Sequence, residues 1–119
     1  MKKIFTICTI LLSFVIEAQQ TGEFIDKPDG KKYKTTVIGG QVWMAENLNV
    51  SKFRNGDPIP EAKTAEEWAS AVRYDIAAWC YYDNDPKNGE IYGKLYNSYA
   101  INDPRGLAPL GWHIPTDSE

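Results

Sequence analysis

The chain has 119 residues, with 13 Lys and Arg against 16 Asp and Glu, one His and two Cys. That is short for one domain and too short for two, and a formal charge of −3 argues against nucleic acid or an anionic membrane surface as the main partner, since both need clustered positive charge. Hydrophobic residues at 43% and charged residues at 24% exclude wholesale disorder, and seven Tyr with four Trp favour interfaces and ligand surfaces.

Residues 1–18 read Met1-Lys2-Lys3, an apolar run over 4–16, then Glu17-Ala18. A basic start, a short apolar stretch and a small residue at the cut site describe a secretory signal peptide cleaved after Ala18. The run is shorter than the roughly 20 apolar residues of a membrane span, and it carries Thr6, Thr9 and Ser13. Cleavage removes two lysines and one glutamate, so the mature chain stands at −4. It also removes Cys8 and leaves Cys80 as the single mature cysteine. Cys80 is then a small buried hydrophobe, an intermolecular thiol, or half of a bridge whose partner is absent from this chain.

Residues 19–25 form a polar lead-in. Asp26-Lys27-Pro28-Asp29-Gly30 is a turn, with Pro and Gly supplying fixed and positive φ. Lys32–Ile38 is rich in β-formers and predicts a strand, Gly39-Gly40 a two-residue hairpin turn, and Gln41–Met44 the returning strand. Residues 55–60 are a loop whose two prolines forbid a central strand. Thr64-Ala65-Glu66-Glu67 is a capping box in which Thr64 caps the helix and Glu67 reaches back to the Thr64 amide. Trp68, Ala71 and Val72 give that helix one apolar face, ending near Tyr74. Residues 77–82 predict a buried strand and 83–90 a polar loop.

Tyr92, Leu95, Tyr96 and Tyr99 recur at helical spacing and predict a helix over 92–101, with a strand as the rival because Tyr is also a β-former. Residues 102–110 are a loop. Thr116-Asp117-Ser118-Glu119 is a second capping box. It announces a helix at the last residue of the chain, the pattern expected of a C-terminally truncated piece of a longer domain.

Three motifs carry a resemblance. The first is the hairpin ending in Ile38-Gly39-Gly40-Gln41-Val42-Trp43-Met44-Ala45-Glu46-Asn47-Leu48, continued by Phe53–Pro60. The second is Trp79–Asp85 followed by Tyr92-Gly93-Lys94-Leu95-Tyr96-Asn97. The third is Gly111-Trp112-His113-Ile114-Pro115-Thr116-Asp117. In order and spacing they resemble the Fibrobacter succinogenes major paralogous domain family of exported bacterial proteins, over residues 26–119. The resemblance implies kinship with the C-type-lectin-like fold, an α+β arrangement of two helices beside small twisted antiparallel sheets or hairpins. The run Ile114–Glu119 is similar to the helix entry of formylglycine-generating enzymes. Where the family often has a second Cys, this chain has Leu107-Ala108-Pro109-Leu110, which implies no bridge to Cys80. The family also continues past the Thr-Asp-x-Glu motif, so the resemblance implies an N-terminal portion of the domain.

Catalytic constellations are poor. His113 is the single imidazole, with no Ser or Cys at a recognisable nucleophile turn, and it reads as a structural hydrogen-bonder. Formylglycine-type oxidation uses a cysteine pair in a part of the fold that the resemblance places beyond this chain. Asp83, Asp85, Asn88 and Glu90 offer oxygen ligands in one loop, but the spacing fails the EF-hand pattern and reads as a solvated turn. Asn49-Val50-Ser51 matches a glycosylation acceptor, a weak signal in a chain of bacterial aspect.

Trp79-Cys80-Tyr81-Tyr82-Asp83-Asn84-Asp85 combines aromatic faces with hydroxyl-binding carboxylates and an amide. In a strand, Cys80 and Tyr82 would face one way and Trp79 and Tyr81 the other, one pair toward the core and one toward a ligand. The candidate ligand-binding residues are therefore Trp79, Tyr81, Tyr82, Asp83, Asn84 and Asp85, with no catalytic residue, metal or cofactor. The expected function is an exported, non-catalytic binding or interaction module for polysaccharide or a cell-surface protein. The alternatives are a structural surface component with no small ligand, or a truncated inactive relative of formylglycine-generating-type enzymes.

Overall fold

The computed structural model describes residues 21–119, and the signal peptide read over 1–18 lies outside them. The hairpin forms where the turn chemistry places it. Strand β2 spans Lys32–Ile38 and β3 spans Gln41–Met44, joined by Gly39 and Gly40 at φ of 58° and 82°. Positive φ at both turn positions is open to glycine without a Cβ clash, and it matches the twist of the flanking strands. The segment read as a polar lead-in is instead a strand. Thr21–Ile25 forms β1, antiparallel to β2 with Phe24 opposite Tyr33, giving a three-stranded sheet in the order β1-β2-β3. Its alternation is hidden because only Phe24 turns inward while Thr21, Gly22 and Glu23 stay exposed.

Alternation along the sheet places Tyr33 and Thr35 inside, with Met44 opposite Thr35. Tyr33 is fully buried, and its hydroxyl accepts the Asn49 amide at 2.9 Å. Phe24 and Met44 pack against the main core, which joins Tyr33 to Val50, Phe53, Ile59, Trp79, Ala100 and Leu107. Most of these come from loops. Such a core needs its loops tied by hydrogen bonds, because buried backbone groups demand partners. Phe53 donates its amide to Asp57 O at 2.9 Å, Arg54 to Gly106 O at 3.0 Å, and Ile59 to Ser51 O at 2.9 Å. The Arg105 guanidinium lies 4.2 Å from the Phe53 ring centroid and bonds Asp57 and Asp103.

Helix α1 spans Ala65–Arg73 with Thr64 as its cap, its hydroxyl accepting the Glu67 amide at 3.0 Å. Glu67 reaches one residue further back than the capping box predicts, and its carboxylate accepts the Lys63 amide at 2.9 Å. The helix stops at a left-handed Asp75 (φ 59°), with Ile76 donating to Ala71 O at 2.8 Å, a Schellman closure without glycine. Its apolar face is narrower than predicted. Ala71 is buried and Trp68 packs beside it, whereas Val72 is exposed, because the layer beneath contributes only Ala62, Ala78 and Cys80.

The buried strand expected over 77–82 shrinks to β4, Trp79–Cys80, which pairs antiparallel with β5, Leu95–Tyr96. The polar loop after it contains two 3₁₀ turns, Tyr82–Asn84 and Pro86–Asn88. The helix expected over 92–101 is broken into α2 (Gly89–Tyr92), β5 and α3 (Ser98–Ile101). Gly93 is the cause. It sits at φ 68° and ψ −142°, and a Cβ there would meet Leu48 O at 2.5 Å. The backbone turns so that Lys94 donates to Leu48 O at 3.2 Å, which aligns Leu95 and Tyr96 with β4. Asn97 seals the junction. Its Oδ1 accepts the amides of Ala78 (3.1 Å) and Ala100 (2.9 Å), and its Nδ2 donates to Ile76 O (2.8 Å).

Arg54 holds the C-terminal segment, donating from Nε to Ala108 O at 2.5 Å and from Nη2 to Trp112 O at 3.0 Å, while the Trp112 ring lies 5.3 Å from Phe24. At Thr116–Glu119 the back-reaching half of the capping box forms, with the Glu119 carboxylate accepting the Thr116 amide at 2.9 Å. Among the described residues no helix is long and apolar enough to cross a membrane.

Two outcomes follow from these contacts. Gly93→Ala forces both a disfavoured φ and a backbone clash, so thermal unfolding should report a loss of about 3 kcal/mol. Asp26 is buried with one carboxylate oxygen unpartnered among the described residues; burial, reinforced by Asp29, pushes its carboxyl above the usual range. The neutral form is thus favoured on folding, and this contribution is present below the ordinary carboxyl range and lost as pH rises through the raised value. Asp26→Asn should therefore be more stable than the parent at neutral pH, with the gap closing as denaturation is measured toward pH ~4.

Candidate functional site: an aromatic loop surface

The run Trp79–Asp85 divides at Tyr82. Trp79 is 6% exposed; its Nε1 donates to Ile59 O at 2.9 Å, and Tyr81 meets it edge-on at 5.0 Å between centroids. Cys80 points the opposite way, into the small cluster under α1, as a free buried thiol. Both faces of β4 are therefore covered, where the strand pattern anticipates one covered and one open. Trp79 is a core residue with no ring face to offer. Tyr81 is half-buried against the same core, and a Cβ on Gly89 would come within 2.6 Å of its ring, so its role is to seat α2.

Above this pair sits Lys94. Its ammonium lies 4.6 Å from the Trp79 ring centroid and 5.6 Å from that of Tyr81, and it donates to Asn49 Oδ1 at 2.6 Å and Asn49 O at 3.1 Å. Burial lowers its ammonium below the usual range. The aromatic faces that could stack on a sugar are thus occupied by a cation that belongs to the fold.

The other four candidates reach the surface together. Tyr82 is 56% exposed, and its ring lies 5.4 Å from that of Tyr92, itself 47% exposed, at an interplanar angle of 50°. Asp83 and Asn84 follow in the left-handed region, at φ of 59° and 54°, which folds the loop sharply away from the strand direction. Asp and Asn tolerate that conformation better than other side-chain-bearing residues. The loop is tied by local bonds, among them Asp85 N–H to Tyr82 O (3.2 Å) and Asn88 N–H to Asp85 O (2.9 Å). Asn84 donates its amide to Tyr81 O (2.9 Å), Asn88 Nδ2 donates to Tyr82 O (2.8 Å), and Lys87 donates its amide to Asp85 Oδ1 (3.0 Å). Asp83 and Asn84 make no side-chain hydrogen bond among the described residues, so a carboxylate and an amide stand free next to two tyrosine rings. Tyr92 is fixed from the other side by Asn47, whose Nδ2 donates to Tyr92 O at 3.1 Å.

Tyr92 is the partner that the sequence reading assigns to a helix core. The Tyr92-Gly93 pair is the signal against that assignment, since a glycine one residue into an apolar repeat marks a helix end. Chemically, the surface offers π faces and hydroxyl-complementary polar groups. Among the described residues no three His, Cys, Asp or Glu side chains gather around a common ion position.

A small antiparallel sheet, short helices and long hydrogen-bonded loops define an α+β domain that displays an aromatic loop. Residues 37–119 match the Fibrobacter succinogenes major domain, and the chain belongs to that family. No curated protein and no solved structure matches the chain.

The Asn88 side chain joins the far end of the loop to Tyr82 O. Asn88→Ala should leave the global melting temperature within a degree or two, since an exposed bond contributes on the order of 1 kcal/mol or less, while amide relaxation at Tyr82–Asp85 reports faster motion.

Proposed function

We propose that the chain is an exported, non-catalytic binding module that takes polysaccharide on the Tyr82–Tyr92 surface. The observation that carries this reading is the pair of exposed rings, tilted at 50° with centroids 5.4 Å apart, beside Asp83 and Asn84, whose side chains make no hydrogen bond among the described residues. Two exposed rings held in a tied loop sacrifice burial that the core could have used, and they present a firm apolar platform. Sugar rings carry C–H faces that rest on aromatic π surfaces, and their hydroxyls suit a carboxylate and an amide at the rim.

Export is supported by the basic, apolar and small-residue pattern of residues 1–18. A C-type-lectin-like relationship is part of the same reading. Its support is the small antiparallel sheet with short helices and an outlying loop that presents Tyr82, Asp83 and Asn84. The absence of catalysis is argued from the site, where free groups can hold hydroxyls but no nucleophile stands beside a base.

Affinity electrophoresis of the chain through gels containing a soluble β-glucan, a xylan or a pectin tests the reading. Retardation by at least one of them is expected, with no release of reducing sugar. Tyr82→Ala and Tyr92→Ala should each weaken retardation about tenfold, close to 1.4 kcal/mol. Unretarded migration in all three gels, or retardation that both variants leave intact, would overturn the proposal.

A further inference from the structure

A second feature lies along the free edge of the sheet. A groove of about 670 Å³ runs between β3 and the segment 108–115. All four residues of β3 line it. Successive side chains of a strand point to opposite faces, so a hollow on one face would touch only alternate residues. A hollow touching all four follows the strand edge.

The backbone of that edge is unpaired in a regular way. Ala45 donates to Lys34 O at 2.7 Å, and Thr36 stands opposite Trp43. Antiparallel pairs alternate between those that exchange both backbone bonds and those that exchange none. Trp43 and Gln41 therefore spend their backbone groups on β2, while the N–H and C=O of Val42 and Met44 point into the groove. Among the described residues the facing wall supplies them no backbone partner. It contains Pro109 and Pro115, which have no N–H, and its own Trp112 amide turns inward to Pro109 O at 2.9 Å. The wall confines an occupant without completing the ladder.

The lining sets the side-chain chemistry. Trp43, Trp112 and Ile114 make apolar walls, and the charged residues are Glu46 and Glu119, with no Lys or Arg among the lining residues. His113 lines the groove too, its Nε2 3.1 Å from Glu119. The Thr116 amide, aided by His113, holds the Glu119 carboxyl below its usual range, so it stays ionised in mild acid.

We propose that this groove takes an extended peptide segment of a partner protein, with alternating apolar residues and a basic side chain, added as the next strand beside β3. Main-chain pairing with Val42 and Met44 supplies register, the aromatic walls take every second side chain, and the two glutamates receive the basic group. At about 3.3 Å per residue, β3 accommodates a segment of four to six residues. This site and its occupant are separate from the tyrosine surface and stand or fall without it.

The test uses the chain and a blocked hexapeptide alternating valine and lysine. Titration followed by amide NMR should show saturable binding, with hydrogen exchange slowing at the Val42 and Met44 amides. The same peptide N-methylated on alternate residues along its pairing edge should bind at least tenfold more weakly. Val42→Pro, which deletes one outward N–H at an edge position where proline is tolerated, should also weaken binding about tenfold. The N-methylated peptide gives the answer even if that variant folds poorly. No saturable binding up to ~1 mM, equal binding of the N-methylated peptide, or protection confined to Tyr82–Asp85 would overturn the proposal. So would concentration-dependent protection of Val42 and Met44 without peptide, which would assign the edge to a second copy of the chain.

Discussion

The enclosure of Trp79 is the constraint around which the rest is arranged. Its backbone donates to Pro60 O at 3.0 Å and accepts the Ala62 amide at 2.8 Å, its indole N–H reaches Ile59 O, and β4 pairs it with Tyr96. One residue thereby ties together the proline loop, the entry to α1 and both short strands. A buried indole needs an acceptor for its N–H, and Ile59 O can serve only if the loop over 55–60 folds back against β4. The bridges Lys52–Pro58 and Glu61–Trp79 are the backbone record of that return. Full burial of an aromatic of this size is worth about 3 kcal/mol, which helps offset the entropy of ordering so much irregular chain.

The same enclosure decides what is left for the surface. Trp79 and Tyr81 are drawn inward, and Lys94 closes over them. The strand ends at Cys80, Tyr82 opens a 3₁₀ turn with its ring exposed, and the two left-handed residues after it fold the loop away from the strand direction. Support thus gives way to display within seven residues. The residues beneath are buried and bonded, and the ones above are tied to them through Gly89, Asn88 and Asn47.

Local chemistry was readable from the residues. The Gly39-Gly40 hairpin, the Thr64 cap and the end of α1 near Tyr74 depend on a few neighbouring side chains, and each forms where the pattern places it. The polar loop from Asp83 was readable for the same reason, whereas Tyr82, expected to end a buried strand, belongs to the turn that opens that loop. What failed was decided at a distance. Trp79 looks like a ligand-facing tryptophan until Ile59 and Lys94 arrive from elsewhere in the chain. The helix over 92–101 has sound periodicity, but Leu48 O lies where a Cβ on residue 93 would be, and a strand partner at Trp79 outweighs helical spacing. Strand β1 escaped notice because one inward residue makes no alternation. Tyr92 escaped as a surface residue because its exposure depends on the break at Gly93.

Cys80 carries a final implication. The thiolate is the form that attacks disulfides, oxidants and alkylating agents, and burial, with Glu61 nearby, holds this sulfur in its protonated state. Shielded under α1 by Trp68 and three alanines, it is slow to meet a reagent and weak when it does. Packing under α1 thus disfavours both dimerisation through this sulfur and exchange with other thiols.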